Sequence, residues 1–261
     1  MSKIHHTAIV SPKAIIGENV SIAPFAVIYD DVEIGDNSSI GPHSVIYDGA
    51  RIGKNVIIYQ GASIAHVCQD LKFKPEPTIC TVGDNTTIHE FVTLHRGSNE
   101  TKRTLIGSNV LLMAYAHVAH DCVVGDNCIL ANGVQIGGFG EVDDWAIIGG
   151  CTPIHQFCKV GKHCMVGGAF RVVKDVPPFI LAGEEPLKYA GLNSIGLRRR
   201  GFTPQQIDNI KKAYHIIYDS GLNVSQAKEK IAAEMSGSSE AQEILSFLNR
   251  CKRGIIGKLG A

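Results

Sequence analysis

Ala116-His117-Val118-Ala119-His120-Asp121-Cys122 lies at the centre of the stretch that decides the fold, which runs from residue 106 to residue 176. A period of six fits neither an α-helix nor a single strand, which repeat at roughly 3.6 and 2 residues, and a fixed short repeat is typical of a solenoid. The pattern predicts a mainly β fold, a left-handed parallel β-helix in which three short strands make one turn. An aliphatic residue stands at every sixth position of the stretch: Ile106, Leu112, Val118, Val124, Leu130, Ile136, Val142, Ile148, Ile154, Val160, Val166 and Val172.

The same phase runs through the N-terminal part of the chain from Ile4 to Ile64, and polar segments interrupt it twice afterwards. We expect external loops near residues 65–81 and 95–105, because insertions in a solenoid leave the coil as loops, often on the binding face. The period ends at Pro177-Pro178, and prolines cannot donate to a sheet ladder. The predicted β-helix therefore spans residues 1–178.

Residues 179–261 are predicted to form a C-terminal α-helical domain, after an irregular passage from 179 to 200. Thr203-Pro204-Gln205-Gln206 has the pattern of a capping box with proline at the first helical position. Apolar residues then follow helical spacing until Gly221, where we expect the helix to stop. Two further amphipathic helices are predicted near residues 224–235 and 239–250.

The composition excludes several partners. Lys plus Arg and Asp plus Glu are 25 each, so the formal net charge is +0 and no basic field favours nucleic acid or anionic lipid. The N-terminus has no apolar segment of the signal-peptide kind, and no apolar run approaches membrane-spanning length. We therefore expect a cytoplasmic chain without stable membrane insertion. Four of the eight cysteines occupy the small inward position of the repeat, and we predict that they are reduced apolar fillers: Cys122, Cys128, Cys158 and Cys164.

The repeat places particular residues above one another. A turn of three hexads takes eighteen residues, so residues eighteen apart stack about 4.8 Å apart on adjacent strands. Gly138 thus presents bare backbone beside His120, where a main-chain N–H could act as an oxyanion donor. His155 lies two turns from His120, about 10 Å away, which is too far to share a metal ion within one chain. Two columns are concerned. One contains His120, Gly138 and Gln156, and the neighbouring one contains Ala119, Gly137 and His155.

Histidines are concentrated in this part of the chain, at positions 95, 117, 120, 155 and 163. Neutral histidine is the side chain best matched to abstracting a hydroxyl proton near neutral pH. A general base needs an orienting partner, and Asp121 follows His120 directly. Adjacent residues on a strand diverge, so Asp121 reaches His120 only if the chain turns a corner there. On position alone, His117 and His120 are equally compatible with polar wall residues that face water.

Seven short segments, in the order in which they occur, resemble the UDP-N-acetylglucosamine O-acyltransferases that begin lipid A synthesis. The resemblance covers essentially the whole chain. It implies transfer of an (R)-3-hydroxyacyl group from acyl carrier protein to the sugar 3-hydroxyl, by a homotrimer with sites between neighbouring prisms. It also implies no metal and no cofactor beyond the phosphopantetheine that the donor carries. The segments are Gln69-Asp70-Leu71-Lys72, His95-Arg96-Gly97, His117-Val118-Ala119-His120-Asp121-Cys122, Ile129-Leu130-Ala131-Asn132, His155-Gln156-Phe157-Cys158, Met165-Val166-Gly167-Gly168 and Arg199-Arg200-Gly201-Phe202.

The resemblance also implies roles for individual residues. His120 would be the base, Asp121 its support and the Gly138 amide the oxyanion donor. Gly168 resembles the position at which side-chain size limits acyl length. The residues that resemble substrate-binding positions are Asp70 and Lys72 (glucosamine and nucleotide), His95, His117, His155 and Gln156 (further site lining), Gly168, and Asn193, Arg199 and Arg200 (nucleotide or carrier-protein end).

This chain departs from the family pattern at two positions. Family members commonly have a histidine after the oxyanion glycine, whereas Phe139 stands here and can neither donate nor accept a hydrogen bond. Ile195 occupies a position where an acidic residue is often found. In addition, Gly140 takes a small inward position, where we expect it to loosen the wall.

The sequence also leaves other functions possible as alternatives. A related acyltransferase that acts on the glucosamine amine has the same prism but carries a uridine-binding domain before the repeat, and an acetyltransferase would use acetyl-CoA. A prism-type carbonic anhydrase would bind zinc through three histidines across a trimer interface. A non-catalytic scaffold is the remaining alternative.

Overall fold

The six-residue repeat winds into a left-handed, three-sided β-helix, as the period predicted. The structure is a computed structural model that describes residues 3–260. Each turn contributes one short strand to each of three parallel sheets, which we call faces 1, 2 and 3. Strands of adjacent turns pair in register, so that His117 lies between Thr93 and Gln135. The stacking predicted from the repeat is therefore confirmed.

The strands of each face follow one another along the prism axis. Face 1 contains Lys3–Ile4, Ser21–Ile22, Ser39–Ile40, Ile57–Ile58, Thr87–Ile88, Leu111–Leu112, Ile129–Leu130, Ile147–Ile148, Met165–Val166, Ile180–Gly183, Lys188–Leu192 and Gly257–Lys258. Face 2 contains Ile9–Val10, Val27–Ile28, Val45–Ile46, Ser63–His66, Thr93–His95, His117–Val118, Gln135–Ile136 and Pro153–Ile154. Face 3 contains Ile15–Ile16, Val32–Ile34, Ala50–Ile52, Ile79–Val82, Arg103–Ile106, Val123–Val124, Glu141–Val142 and Lys159–Val160.

The core is the interior of the prism, filled by one aliphatic side chain per hexad. Ile46, Val118 and Ile136 are completely buried there. The four inward cysteines are also buried and unpaired, which confirms the prediction that they fill space. Burial raises the pKa of the Cys122 thiol to about 12, so the thiol stays protonated and unreactive.

Three corners join the faces, and we name each after the faces it connects. Both predicted loops leave the prism at the 2–3 corner. The first runs from 67 to 78, between the strands Ser63–His66 and Ile79–Val82, and the second from 96 to 102, between Thr93–His95 and Arg103–Ile106. The insertions therefore cluster on one edge of the prism, as expected for a binding edge.

The passage after the paired prolines is not irregular, and that prediction is wrong. Ile180–Gly183 pairs in parallel with Met165–Val166 and in antiparallel with Lys188–Leu192, so face 1 continues. Pro177 and Pro178 lie in a corner, where no ladder hydrogen bond is lost. The division of the chain after residue 178 stays a prediction.

The described part of the chain contains four helices: α1 Ser194–Arg199, α2 Pro204–Asp219, α3 Val224–Glu234 and α4 Ser239–Arg250. The capping box at Thr203 and Gln206 is present, and Gly221 has φ +74° just past the end of α2. The helices contact the prism through Tyr214, whose hydroxyl donates to the Pro178 carbonyl at 2.6 Å, and Arg250, which pairs with Glu141 at 2.9 Å. Within residues 3–260, even the longest helix, α2, lacks the length and apolarity of a membrane span.

Candidate active site

His120 and Asp121 form a hydrogen-bonded pair at the 2–3 corner. The Nδ1 of His120 lies 2.6 Å from Oδ2 of Asp121. Asp121 adopts φ +60°, the corner conformation that the sequence left open, and this conformation turns its carboxylate back onto the preceding imidazole. A carboxylate only accepts hydrogen bonds, so Nδ1 carries the proton and Nε2 has a free lone pair. The imidazole lies outside the prism core, with 13% of the side chain exposed.

The Asp121 carboxylate is completely buried, yet it is held in its charged form. Burial by itself would raise its pKa, but hydrogen bonds from Thr101, His120 and Ser98 together keep that pKa below its ordinary value. The backbone N–H of Asp121 donates to the hydroxyl of Thr104 at 2.9 Å. The charged carboxylate is therefore available to stabilise an imidazolium whenever His120 takes up a proton.

Gly138 lies directly above the imidazole of His120. A Cβ built on Gly138 would stand 2.8 Å from both Cε1 and Nε2 of His120, so no side chain fits there without moving the ring. The carbonyl of Gly138 accepts from the N–H of Phe157 at 3.1 Å, whereas its own N–H meets no acceptor among residues 3–260. The proximity of the His120 imidazole and the bare peptide of Gly138 that the column predicted is thus present.

An aromatic pair borders the imidazole. The ring of Phe139 meets His120 edge to face at a centroid distance of 5.4 Å and stacks on Phe157 at 4.8 Å. The expectation that Gly140 loosens the wall is wrong. A Cβ on Gly140 would stand 2.5 Å from Cγ2 of Ile136, because the branched side chain of this residue, in the same turn, already fills the position.

His117 and His95 lie on face 2 beside the corner, on adjacent strands. Nδ1 of His117 is 2.7 Å from the Thr93 hydroxyl, and the rings of His95 and His117 are 5.0 Å apart. Burial, with nearby histidines, lowers the pKa of His95 to about 4 and also lowers that of His117. Both are therefore neutral hydrogen-bonding groups at neutral pH. Nδ1 of His95 is buried without a partner, as expected of a group that awaits a ligand.

The remaining predicted residues at this corner flank the pair from both sides. Asp70 and Lys72 lie on the first loop, where the Asp70 carboxylate accepts from the Lys72 N–H at 2.9 Å. His155 and Gln156 are exposed one turn above Gly138. The Nδ1 of His155 is 3.0 Å from the Gln156 carbonyl.

Four predicted residues lie elsewhere in the chain. Gly168 is exposed at the 1–2 corner. Asn193 caps α1 and donates to the His163 carbonyl at the 3–1 corner, at 2.9 Å. Arg200 lies over the Trp145 ring there, 5.3 Å from its centroid, and Arg199 is exposed. One chain therefore does not bring all the predicted residues together.

Sequence reasoning missed the residues that hold Asp121, namely Ser98, Thr101 and Thr104. The available signal was weak: hydroxyl residues in an insertion that leaves the coil just before the histidine pair. Thr93, the partner of His117, was missed as well, because on face 2 it follows the alternation of any outward strand position.

An imidazole–carboxylate pair beside a bare peptide on a hexapeptide-repeat prism defines the class of hexapeptide transferases. A family model described as bacterial transferase hexapeptide (six repeats) matches residues 13–48, 31–66 and 103–138. A second, described as UDP-N-acetylglucosamine O-acyltransferase, domain 2, matches residues 175–256.

The full-length relatives are more specific. The acyl-[acyl-carrier-protein]–UDP-N-acetylglucosamine O-acyltransferase of Thiobacillus denitrificans is 48% identical over 98% of this chain and 100% of its own length. The crystal structure of the UDP-N-acetylglucosamine acyltransferase from Bacteroides fragilis is 48% identical, with a TM-score of 0.94 over 97% of this chain and 99% of that one. The Francisella novicida enzyme is 36% identical, with a TM-score of 0.96 over 98% and 95%. The chain belongs to the family of UDP-N-acetylglucosamine O-acyltransferases.

Proposed function

We propose that this chain transfers an (R)-3-hydroxyacyl group from acyl carrier protein to the 3-hydroxyl of UDP-N-acetylglucosamine, the first step of lipid A biosynthesis. The names of its full-length relatives supply the acceptor and the carrier protein. The observation that carries the mechanism is the geometry at the 2–3 corner, where the imidazole of His120 lies against Gly138, whose N–H meets no acceptor among residues 3–260. A base and an oxyanion donor on one reacting centre are what acyl transfer to a hydroxyl requires.

The reaction proceeds through a tetrahedral intermediate. Nε2 of His120 takes the proton of the sugar hydroxyl as its oxygen attacks the thioester carbonyl, and Asp121 stabilises the resulting imidazolium. The Gly138 N–H donates to the oxyanion. When the intermediate collapses, the C–S bond breaks, and the imidazolium returns its proton to the phosphopantetheine thiolate. No cofactor or metal enters these steps.

The other residues would bind the two substrates. In this proposal Asp70, Lys72 and the neutral histidines at 95 and 117 would hold the acceptor sugar, and His155 and Gln156, in the turn above Gly138, would line the same site. Guanidinium groups suit phosphates, which supports Arg199 and Arg200 at the nucleotide or carrier-protein end, with Asn193 beside them. Gly168 would leave the acyl groove open.

A homotrimer would complete the site. Gly168 and the Asn193–Arg200 group lie at corners other than that of His120, so a single prism cannot present them to one substrate. Neighbouring prisms packed side by side would bring different corners together, as a cyclic assembly does with a repeated surface. We place this activity in the cytoplasm, where acyl carrier protein and the sugar nucleotide would be met.

The test is a transfer assay with UDP-N-acetylglucosamine and 3-hydroxyacyl carrier proteins of several chain lengths. We expect acylated sugar nucleotide from the wild type, and a loss of about 10²–10⁴-fold in kcat for His120→Ala at unchanged thermal stability. Free UDP-glucosamine as the preferred acceptor, or acetyl-CoA as the preferred donor, would contradict the proposal. Undiminished turnover by His120→Ala would remove His120 from the role of base.

A further inference from the structure

The second loop, residues 96–102, closes over the Asp121 carboxylate. Its oxygens accept from the Ser98 N–H at 3.0 and 3.1 Å, from the Thr101 N–H at 3.3 Å and from the Thr101 hydroxyl. The fourth donor is His120. The Asp121 side chain has no exposed surface, and within residues 3–260 every donor to its carboxylate comes from this loop or from His120. Nothing in the family resemblance assigned this loop a role.

The loop is built to keep this position. The N–H of Lys102 donates to the Ser98 carbonyl at 2.7 Å and closes the loop on itself. A Cβ on Gly97 would stand 2.2 Å from the Arg103 nitrogen, so the two ends of the loop pass in direct contact. The Lys102 carbonyl in turn accepts from the Ile79 N–H at 2.9 Å, which fastens the loop to face 3.

Among the donors that the loop supplies, the Thr101 hydroxyl is the one that a side-chain substitution can remove, because the others are backbone N–H groups. The hydroxyl has one proton and two acceptors within reach, the Asp121 carboxylate and the Arg103 carbonyl at 2.9 Å. The carboxylate is both nearer and charged, and charge-assisted hydrogen bonds are the stronger ones. The proton therefore goes to Asp121.

We propose that Thr101 is a positioning residue, whose hydroxyl fixes the Asp121 carboxylate against His120 and moderates the negative charge that the imidazole experiences. Thr101 would not touch substrate atoms in this role. It acts on the reaction only through the His120–Asp121 pair, and the inference therefore rests on the proposed function of that pair. The second loop is in this way a part of the base rather than a decoration of the scaffold.

The test compares Thr101→Val, which keeps the shape but lacks the hydroxyl, with Thr101→Ser, which keeps the hydroxyl. We expect Thr101→Val to lower kcat roughly ten- to hundredfold, the worth of a hydrogen bond to a charged group, with KM nearly unchanged. Thr101→Ser should retain most of the activity. Asn99→Ala, a change at an exposed position of the same loop, is the matched control and should behave as wild type.

The pH profile of kcat/KM gives a readout that a purely structural role would not move. Without the hydrogen bond from Thr101, more of the negative charge of the Asp121 carboxylate acts on His120, and this charge stabilises the imidazolium more strongly. The acid limb of the profile should therefore shift to higher pH in Thr101→Val and stay in place in Thr101→Ser. A lowered but unshifted profile would contradict the proposal.

A double-mutant cycle with Asp121→Ala completes the experiment. If Thr101 acts only through Asp121, Thr101→Val has no further effect in that background, whereas independent effects would add. Additive losses, or equal losses in the Val and Ser variants, would overturn the inference. If His120→Ala is inactive and Thr101→Val is fully active, the role of Thr101 is contradicted and the proposed base is not. If His120→Ala is active, the proposed base itself is contradicted.

Discussion

The 3–1 and 2–3 corners both contain residues in the left-handed backbone conformation, but the residue types differ. Each turn of the prism needs a residue in the left-handed conformation at a corner. Along most of the 3–1 corner this residue is asparagine. At three of these turns the residue before it is an aspartate that accepts from the turn below, as Asp126 does from the Ser108 N–H at 2.7 Å. The asparagines concerned are Asn19, Asn37, Asn55, Asn85, Asn109 and Asn127, all with φ between 55° and 59°.

At the 2–3 corner the left-handed position is occupied by Asp121, Phe139 and Phe157, with φ of 60°, 60° and 65°. Phenylalanine does not favour this conformation, whereas asparagine tolerates it at little cost. The turns of the 3–1 corner that carry asparagine follow this local rule, whereas the turns of the 2–3 corner around His120 depart from it where they present the imidazole, the carboxylate and the aromatic pair.

Gly138→Ala should give the largest effect among the variants that probe this contrast. The added Cβ would lie 2.8 Å from the His120 ring and must displace it, so we expect kcat to fall about 10²-fold or more, comparable to the loss of an oxyanion donor. Steady-state kinetics check this, with Gly237→Ala, at an open position, as the control. Full activity of Gly138→Ala would show that the imidazole does not work where it lies.

Phe139→His restores the residue type that the family commonly has at this position. We expect a severalfold change, either a higher kcat or an altered preference among acyl donors, because the ring contacts His120 and histidine adds a hydrogen-bonding group. The assay with donors of several lengths measures it. Unchanged kinetics would show that this chain compensates elsewhere for the missing histidine.

His163 links the pH dependence of stability to the 3–1 corner. Burial, reinforced by the positive charges of Arg200 and Lys162 against the opposing Asp144, lowers the pKa of His163 to about 4. The unfolded chain then binds a proton that the folded chain lacks, so the free energy of unfolding falls as pH falls from about 6.5 toward 4.

Asparagine is the residue that this corner otherwise uses, so His163→Asn is the matching substitution. It should lose less stability than the wild type between pH 6.5 and 5, as followed by the midpoint of thermal unfolding. Part of the loss of stability should persist in this variant, because burial lowers the pKa of His95 to about 4 as well. An identical pH slope in both proteins would contradict this account.

Asn127→Ala should give the smallest effect and no catalytic one. Alanine in the left-handed conformation costs about 1 kcal/mol, so the free energy of unfolding should fall by that amount in urea denaturation. The kcat should equal that of wild type. A loss of activity would mean that the 3–1 corner is more than scaffold at this turn.

The sequence by itself determined the prism, because a period of six has one regular solution and each hexad supplies its own inward aliphatic residue. It also predicted α2 with its capping box, and the column that sets Gly138 beside His120, since stacking follows directly from the eighteen-residue turn. These are local or periodic properties, and no distant contact is needed to infer them.

The tertiary structure decided what the repeat leaves free. Only the corner conformation at Asp121 brings its carboxylate to His120, and only the fold of the second loop brings Thr101 to that carboxylate. Loops have no period, so their contacts depend on the whole chain. The same reason explains the error after Pro178, where pairing with Met165–Val166, rather than local propensity, makes residues 180–183 a strand.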